Sequence, residues 1–268
     1  MYKWEADGDA KAVIVIVHGA MEHQGRYKWL VEMWRSAGYH VIMGDLPGHG
    51  LTTRARRGHI NSFEEYLIAV KDWVQEAYQY HLPVFLMGHS MGGLIAIRLI
   101  QEEEVNIAGI ILSSPCLGLV TYPPKAMQAA SALLNFAYPK FKATTGITID
   151  MVTRDPEIRE SSMNDSLFIT KVSVRWYHEL LTAVKEAFEN IPELGDTPVL
   201  LMQAGDDKIV DKEAVREWFN FIMVNEKQFI EWKGLYHELF SEPEKEDVFY
   251  YAESFVKTRL RNLGYVVQ

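Results

Sequence analysis

The run Gly88-His89-Ser90-Met91-Gly92 sets a serine between two glycines, where an apolar stretch gives way to a helical one. Pro83 to Met87 is short, apolar and closed by Gly88, which predicts a buried strand. From Leu94 the apolar residues Ile97, Leu99 and Ile100 recur at helical spacing, with Arg98 and Gln101 turned away. A strand joined to a helix with almost no loop needs a sharp turn. The residue at its apex takes a strained backbone, which small neighbours on either side accommodate. The pentapeptide therefore fits a G-x-S-x-G nucleophile elbow, with Ser90 lifted clear of the sheet beside the N–H groups of a helix start. A helix cap would also explain a serine here, but it requires neither Gly88 nor Gly92.

A serine hydroxyl is a weak nucleophile until a base takes its proton, and the base needs an acid to orient it. Two later stretches supply these groups, each just beyond a predicted strand. Pro198 to Gln203 leads into Gly205-Asp206-Asp207-Lys208-Ile209-Val210-Asp211, and Gln228 to Trp232 leads into Gly234-Leu235-Tyr236-His237-Glu238. Sites in parallel α/β sheets collect at the carboxyl ends of strands. Ser90, Asp207 and His237 follow the chain order Ser, Asp, His expected of this machinery. Asp207 is preferred as the acid because it precedes the apolar pair Ile209-Val210. Asp206 is the alternative, and Asp211 fits a cap for the next helix. His40, His81 and His178 fall within or at the ends of predicted elements. His18, His49 and His89 sit in glycine-rich turns, where they would hydrogen-bond backbone. An oxyanion needs two N–H donors. Met91, directly after the nucleophile, supplies one, and Ala20, in the loop after an early strand, supplies the other.

The elements that must position these groups alternate along the chain. Ala12 to Val17 and Tyr39 to Met43 are apolar, strand-like runs, with helical spacing from Tyr27 to Ala37 between them. Ser62 with Glu65 three residues on marks a helix start, and Phe63, Tyr66, Leu67, Val70 and Val74 form its apolar face. Ile107 to Leu112 is a further strand. This rhythm predicts a mostly parallel sheet covered by helices on both faces. It breaks from Leu117 to about Leu194, where helical pieces such as Ala126 to Tyr138 and Val172 to Asn190 replace strong strands. It resumes with strands at Pro198 to Gln203 and Gln228 to Trp232 and helices at Lys212 to Phe221 and Val248 to Arg261. The expected architecture is one α/β core, residues 1–116 and 195–268, with a helical insertion at 117–194.

Composition narrows the classes of function. A formal net charge of −9 over 268 residues leaves no basic excess to neutralise phosphates, which argues against nucleic acid as a partner and against a polybasic grip on anionic lipid. A single cysteine, Cys116, excludes an intramolecular disulfide framework and a cysteine-based zinc site, and suits a small core residue in a reducing, cytoplasmic compartment. The opening MYKWEADGDAKA lacks the apolar centre of a signal peptide, and no apolar run approaches the ~20 residues of a membrane span. Arg54, Arg56 and Arg57 form a basic cluster that reads as a solvated loop held by nearby acids. Nothing in the pattern reports an oligomeric state.

Taken together, HGAMEHQGRY (18–27), DLPGHG (45–50), RRGHINSFEEY (56–66), GHSMGG (88–93), VTRDPE (152–157), GDDKIVD (205–211) and YHELFSE (236–242) resemble the monoacylglycerol lipase and lysophospholipase family of α/β-hydrolases. The resemblance runs in order over nearly the whole chain. It implies an α/β-hydrolase fold with a helical cap, Ser90, Asp207 and His237 as triad, and Ala20 with Met91 as oxyanion donors. It further implies that Glu22 and Arg26 shape the polar end of the site, a role that competes with a structural salt bridge between them. It departs from the family at Met21, where many relatives carry a small residue, and at Ala204-Gly205, where many place glycine first. The implied reaction is two-step acyl transfer from a monoacylglycerol or lysophospholipid-like ester, with no cofactor. The cap helix 126–138 would pack on its neighbours or meet a membrane surface transiently. Two alternatives remain: an aminopeptidase or thioesterase on the same triad, and a non-catalytic ligand-binding member of the fold.

Overall fold

A computed structural model describes residues 1–52 and 54–266, with the backbone alone at Arg54. Its strands are β1 (Tyr2–Trp4), β2 (Ala12–Val17), β3 (Tyr39–Met43), β4 (Val84–His89), β5 (Gly109–Ser113), β6 (Lys142–Thr144), β7 (Lys171–Ser173), β8 (Val199–Ala204) and β9 (Lys227–Trp232). Its helices are α1 (Lys28–Ser36), α2 (Glu64–Ala77), α3 (Met91–Glu102), α4 (Lys125–Ala137), α5 (Ile149–Val152), α6 (Pro156–Met163), α7 (Val174–Glu189), α8 (Lys212–Phe221) and α9 (Lys245–Asn262). Seven strands form one sheet in the order β1-β3-β2-β4-β5-β8-β9, parallel throughout except for β1 against β3.

The inner strands are mostly apolar because both faces are covered; His40, His89, Ser113 and Gln203 are their polar members. In β2, Val13, Val15 and Val17 enter a core built with α2, α3 and α7, while Ala12, Ile14 and Ile16 enter another built with α1 and α9. Each such fully buried Val or Ile contributes roughly 1.5–3 kcal/mol relative to exposure. Chain direction across the sheet reverses between β2 and β4: β3 lies outward of β2, whereas β5, β8 and β9 continue from β4. A crevice at such a switch point, beyond the strand ends, is where α/β sheets place ligands. The loops leaving β2 and β4 are those of Ala20 and Ser90.

Between β5 and β8 the chain inserts α4 to α7. The prediction of no strong strand there misses the pair β6 and β7, joined antiparallel over three residues each. Their residues are too few to leave a period-2 signal. The last insertion helix, α7, turns Trp176, Leu180, Ala183 and Ala187 into the core beside α3, with Ser173 capping its start through the Trp176 N–H (3.1 Å). Two boundaries also differ from expectation. The 27–37 helix begins at Lys28 after a tighter turn at Gln24–Tyr27. At α2 the Ser62–Glu65 box is modified: Ser62 Oγ accepts from Glu64 N–H, and Glu65, drawn toward Arg56, accepts from Asn61 N–H in addition to Ser62 N–H. Arg56 is thus held by an acid, and Arg57 bonds the carbonyls of Ser166 and Gly50; the side chain of Arg54 lies outside the described residues.

Candidate active site

Ser90 has φ 52° and ψ −119°, a backbone that non-glycine residues rarely adopt. Such strain costs about 1–3 kcal/mol and persists only where the surroundings over-determine it. Here they do. The Ser90 N–H donates to Ser113 O on β5 (2.9 Å), and its carbonyl accepts from Gly93, Leu94 and Cys116 N–H groups. The flanking glycines are required by close approach: a Cβ at Gly92 would lie 2.2 Å from Val17 O, and one at Gly88 2.3 Å from Gly92 O. Helix α3 is packed directly onto β2 and β4, and the serine is carried at its N-terminus without its side chain capping the helix. The Met91 N–H belongs to the first turn of α3, ahead of the intrahelical ladder.

His237 Nδ1–H donates to Asp207 Oδ2 at 2.8 Å. Asp207 is held in turn by three donors: Ile209 and Val210 N–H to Oδ1 (both 2.9 Å) and Gln203 Nε2–H to Oδ2 (3.1 Å). Its side chain is fully shielded from solvent. Burial disfavours the carboxylate, but His237 and the two amides outweigh that and hold its pKa below 3.8. Burial likewise disfavours the His237 imidazolium, and Asp207 outweighs it, so the imidazole stays above 6.5. With Nδ1 protonated, the lone pair of the neutral ring is on Nε2. Asp206, the alternative acid, is exposed and engages Leu235 O through its amide; Asp211 caps α8 through the Glu213 N–H.

The loop after β2 is locked by its polar groups. His18 donates Nδ1–H to Gly19 O and accepts Leu46 N–H at Nε2, and burial pushes its pKa down to about 4. Gly19 N–H and Tyr27 O–H both donate to Glu22 Oε1. The Arg26 guanidinium bonds Glu22 Oε2 (3.3 Å), Ser162 Oγ and both oxygens of Glu238 (2.8 and 3.1 Å). Glu22 and Arg26 therefore form a buried ion pair, and Arg26 ties the loop to α6 and to the residue following His237. Its role as a tether was foreseeable only as a salt bridge to Glu22.

Two cavities meet at the serine. A recess of about 30 Å³ is lined by Ser90, His237, Ala20, Glu22, His89 and Glu238, among others. A larger cavity of about 380 Å³ opens from Ala20, Ser90 and Met91 toward the insertion, where Leu134, Phe141 and Trp176 give it apolar walls. Ser90, His237, Ala20, Met91 and Glu22 thus share one locus, Asp207 stands behind the histidine, and Arg26 faces a neighbouring pocket. Three contributors were not anticipated. Gln203 is a lone polar residue in the apolar PVLLMQ run, a detectable signal. Glu238 adjoins His237 in sequence. His89 sets its ring 4.8 Å from that of His237, with its own pKa lowered by burial and by His237.

Residues 8–244 match the family described as serine aminopeptidase, S33. The chain is 55% identical over 256 residues to phospholipase YtpA of Bacillus subtilis (strain 168), covering 95% of this chain and 98% of that protein. It is 29% identical to the monoglyceride lipase of Homo sapiens, covering 97% and 87%. A crystal structure of the monoacylglycerol lipase of Paleococcus ferrophilus superposes with a TM-score of 0.86 at 29% identity, covering 96% of this chain and 98% of that one.

Proposed function

Because the chain belongs to the α/β-hydrolase family described as serine aminopeptidase, S33, we propose that Ser90, His237 and Asp207 carry out acyl transfer at the mouth of the large cavity. The protein is a serine hydrolase of lipid carboxylic esters. The observation that carries the residue assignment is Ser90 on its strained turn, sharing a recess with a histidine whose other nitrogen is held by a buried carboxylate. His237 Nε2 takes the Ser90 proton as Oγ attacks the ester carbonyl. The N–H groups of Ala20 and Met91 receive the oxyanion, a contribution of about 3–4 kcal/mol per donor in enzymes of this chemistry. The imidazolium, stabilised by Asp207, then protonates the leaving alcohol. Water repeats the cycle and releases the fatty acid. No step calls for a cofactor.

The apolar cavity suits an acyl chain, and the recess with Glu22, Arg26 and Glu238 behind it suits the polar alcohol. Monoacylglycerols and lysophospholipids both have this form. Residues 117–194 serve as the cap in this reading. Helix α4 buries none of its side chains, and Met127, Leu133 and Phe136 face solvent, the last 89% exposed. The segment 117–148 holds Lys125, Lys140 and Lys142 and no acid, although the chain as a whole is acidic. This combination suits transient contact of the cap with a lipid surface. Among the described residues no helix is long and apolar enough to cross a membrane. A cytoplasmic setting, consistent with the single cysteine, completes the reading.

The test is turnover of p-nitrophenyl esters from acetate to palmitate, then of monoacylglycerol and lysophospholipid, with Ser90→Ala alongside. Activity peaking at medium or long chains and lost in the variant is expected. Ser90-dependent cleavage of aminoacyl amides or acyl thioesters, without turnover of any ester, would replace this reading.

A further inference from the structure

Met21 lies in the oxyanion loop at φ +66°, the left-handed region that favours glycine. The insertion grips it twice. Ile169 N–H donates to Met21 O (2.8 Å), and Thr145 Oγ1–H donates to Met21 Sδ (3.3 Å) while accepting Ile147 N–H (3.3 Å). A strained residue held at its carbonyl and at its thioether keeps a long side chain where a glycine would rest without strain, which points to a use for the side chain itself.

Its placement shows what that use is. Met21 is buried and lines both the polar recess and the apolar cavity. The other residues common to both are Ala20, Ser90, Ile147 and Ile209. These five enclose the neck through which the two spaces meet, and an ester attacked by Ser90 must put its carbonyl there. Thr145, the partner of the thioether, lines the apolar cavity and not the recess. The Met21 side chain therefore narrows the acyl side of a neck it shares with two β-branched isoleucines, which have little freedom to give way.

We propose that Met21 is a specificity-determining residue that restricts the substrate to acyl chains unbranched beside the carbonyl. The proposal rests on the ester-hydrolase reading above. A straight methylene chain passes the neck, whereas a branch on the carbon next to the carbonyl meets Met21 before Oγ comes within reach of the carbonyl carbon.

The experiment compares p-nitrophenyl octanoate with p-nitrophenyl 2-ethylhexanoate, isomers with the same leaving group, in the wild type, Met21→Ala and Met21→Gly. The kcat/KM ratio, linear over branched, is referred to the ratio of their alkaline hydrolysis rates. In the wild type it should exceed that reference by about tenfold or more, the scale on which an apolar pocket discriminates by one or two carbons. Both variants should bring it back toward the reference. Alanine retains the backbone strain and glycine relieves it, so agreement between them assigns the effect to the side chain, and either variant suffices should the other fail to fold. A wild-type ratio within about twofold of the reference, or variants that keep the wild-type ratio, overturns the assignment. A wild type with no Ser90-dependent turnover of octanoate overturns the ester reading beneath it.

Discussion

Replacing Asp207 by asparagine preserves volume and removes one charge, and the hydrogen bonds at that carboxylate specify the consequences. The Asn Oδ1 can still accept the Ile209 and Val210 N–H groups, as Asp207 Oδ1 does at 2.9 Å. The Nδ2 then replaces the oxygen that now accepts from His237 Nδ1 and Gln203 Nε2. A donor in that place selects the His237 tautomer with its lone pair on Nδ1 and its proton on Nε2, so the ring cannot take the Ser90 proton. Loss of a correctly oriented base in a serine triad costs about 10⁴ in kcat, or roughly 5.5 kcal/mol at 1.36 kcal/mol per decade. The pH profile moves as well. General-base action needs neutral His237, so kcat/KM rises with pH through its pKa. In the wild type burial lowers that pKa and Asp207 outweighs it, placing the limb above 6.5. In the variant burial is opposed only by the smaller attraction of Glu238 and Glu22, so the residual limb must move to lower pH. Steady-state kinetics on a soluble ester from pH 5 to 9, with a melting curve to establish folding, reads both effects. A folded Asp207→Asn enzyme within about tenfold of wild type at pH 8, or one whose limb stays in place, would refute the reasoning.

Gly92→Ala should lose both stability and activity, because its Cβ would fall 2.2 Å from Val17 O; a core overpacked in this way loses about 1–3 kcal/mol or more, visible as a lower Tm. Arg26→Met should destabilise by about 3–5 kcal/mol, the cost of leaving buried carboxylates without their cation. Adding Glu238→Gln to it should restore part of the loss, since one uncompensated charge goes, and denaturant melts of the two variants decide. Phe136→Ser should weaken sedimentation with phospholipid vesicles, and equal sedimentation would remove α4 from the lipid contact. At low pH the Asp207 contribution to stability has a defined sign: its folded pKa lies below 3.8, so the contribution is full above that value and is lost as pH falls through the folded pKa. An acid titration of the wild type should therefore show a transition that Asp207→Asn lacks.

Much of this protein is legible in one dimension because the relevant forces act locally. Strands buried on both faces must be predominantly apolar, so AVIVIV and YHVIM, the latter with a single histidine, declare themselves without knowledge of their neighbours. The elbow is equally local: its glycines are demanded by backbone atoms a few residues away and by the adjoining strand. Chain order then brings Ser90 and the post-strand loops of Asp207 and His237 to one sheet edge, since parallel strands end on the same side. What lay beyond the sequence depends on contacts between segments far apart. The choice of Asp207 over Asp206 turns on which carboxylate the loop directs at His237. The union of Arg26 with Glu238, 212 positions away, cannot be read from charges that are common everywhere along the chain. The short pair β6 and β7 exists only because the insertion folds back on itself. Most of all, the cavity at the serine is a space, and a space has no residue of its own. Its walls come from the loop after β2, the elbow, Ile209 in the loop after β8 and several parts of the insertion, so only packing decides its shape and thus where Met21 stands in it.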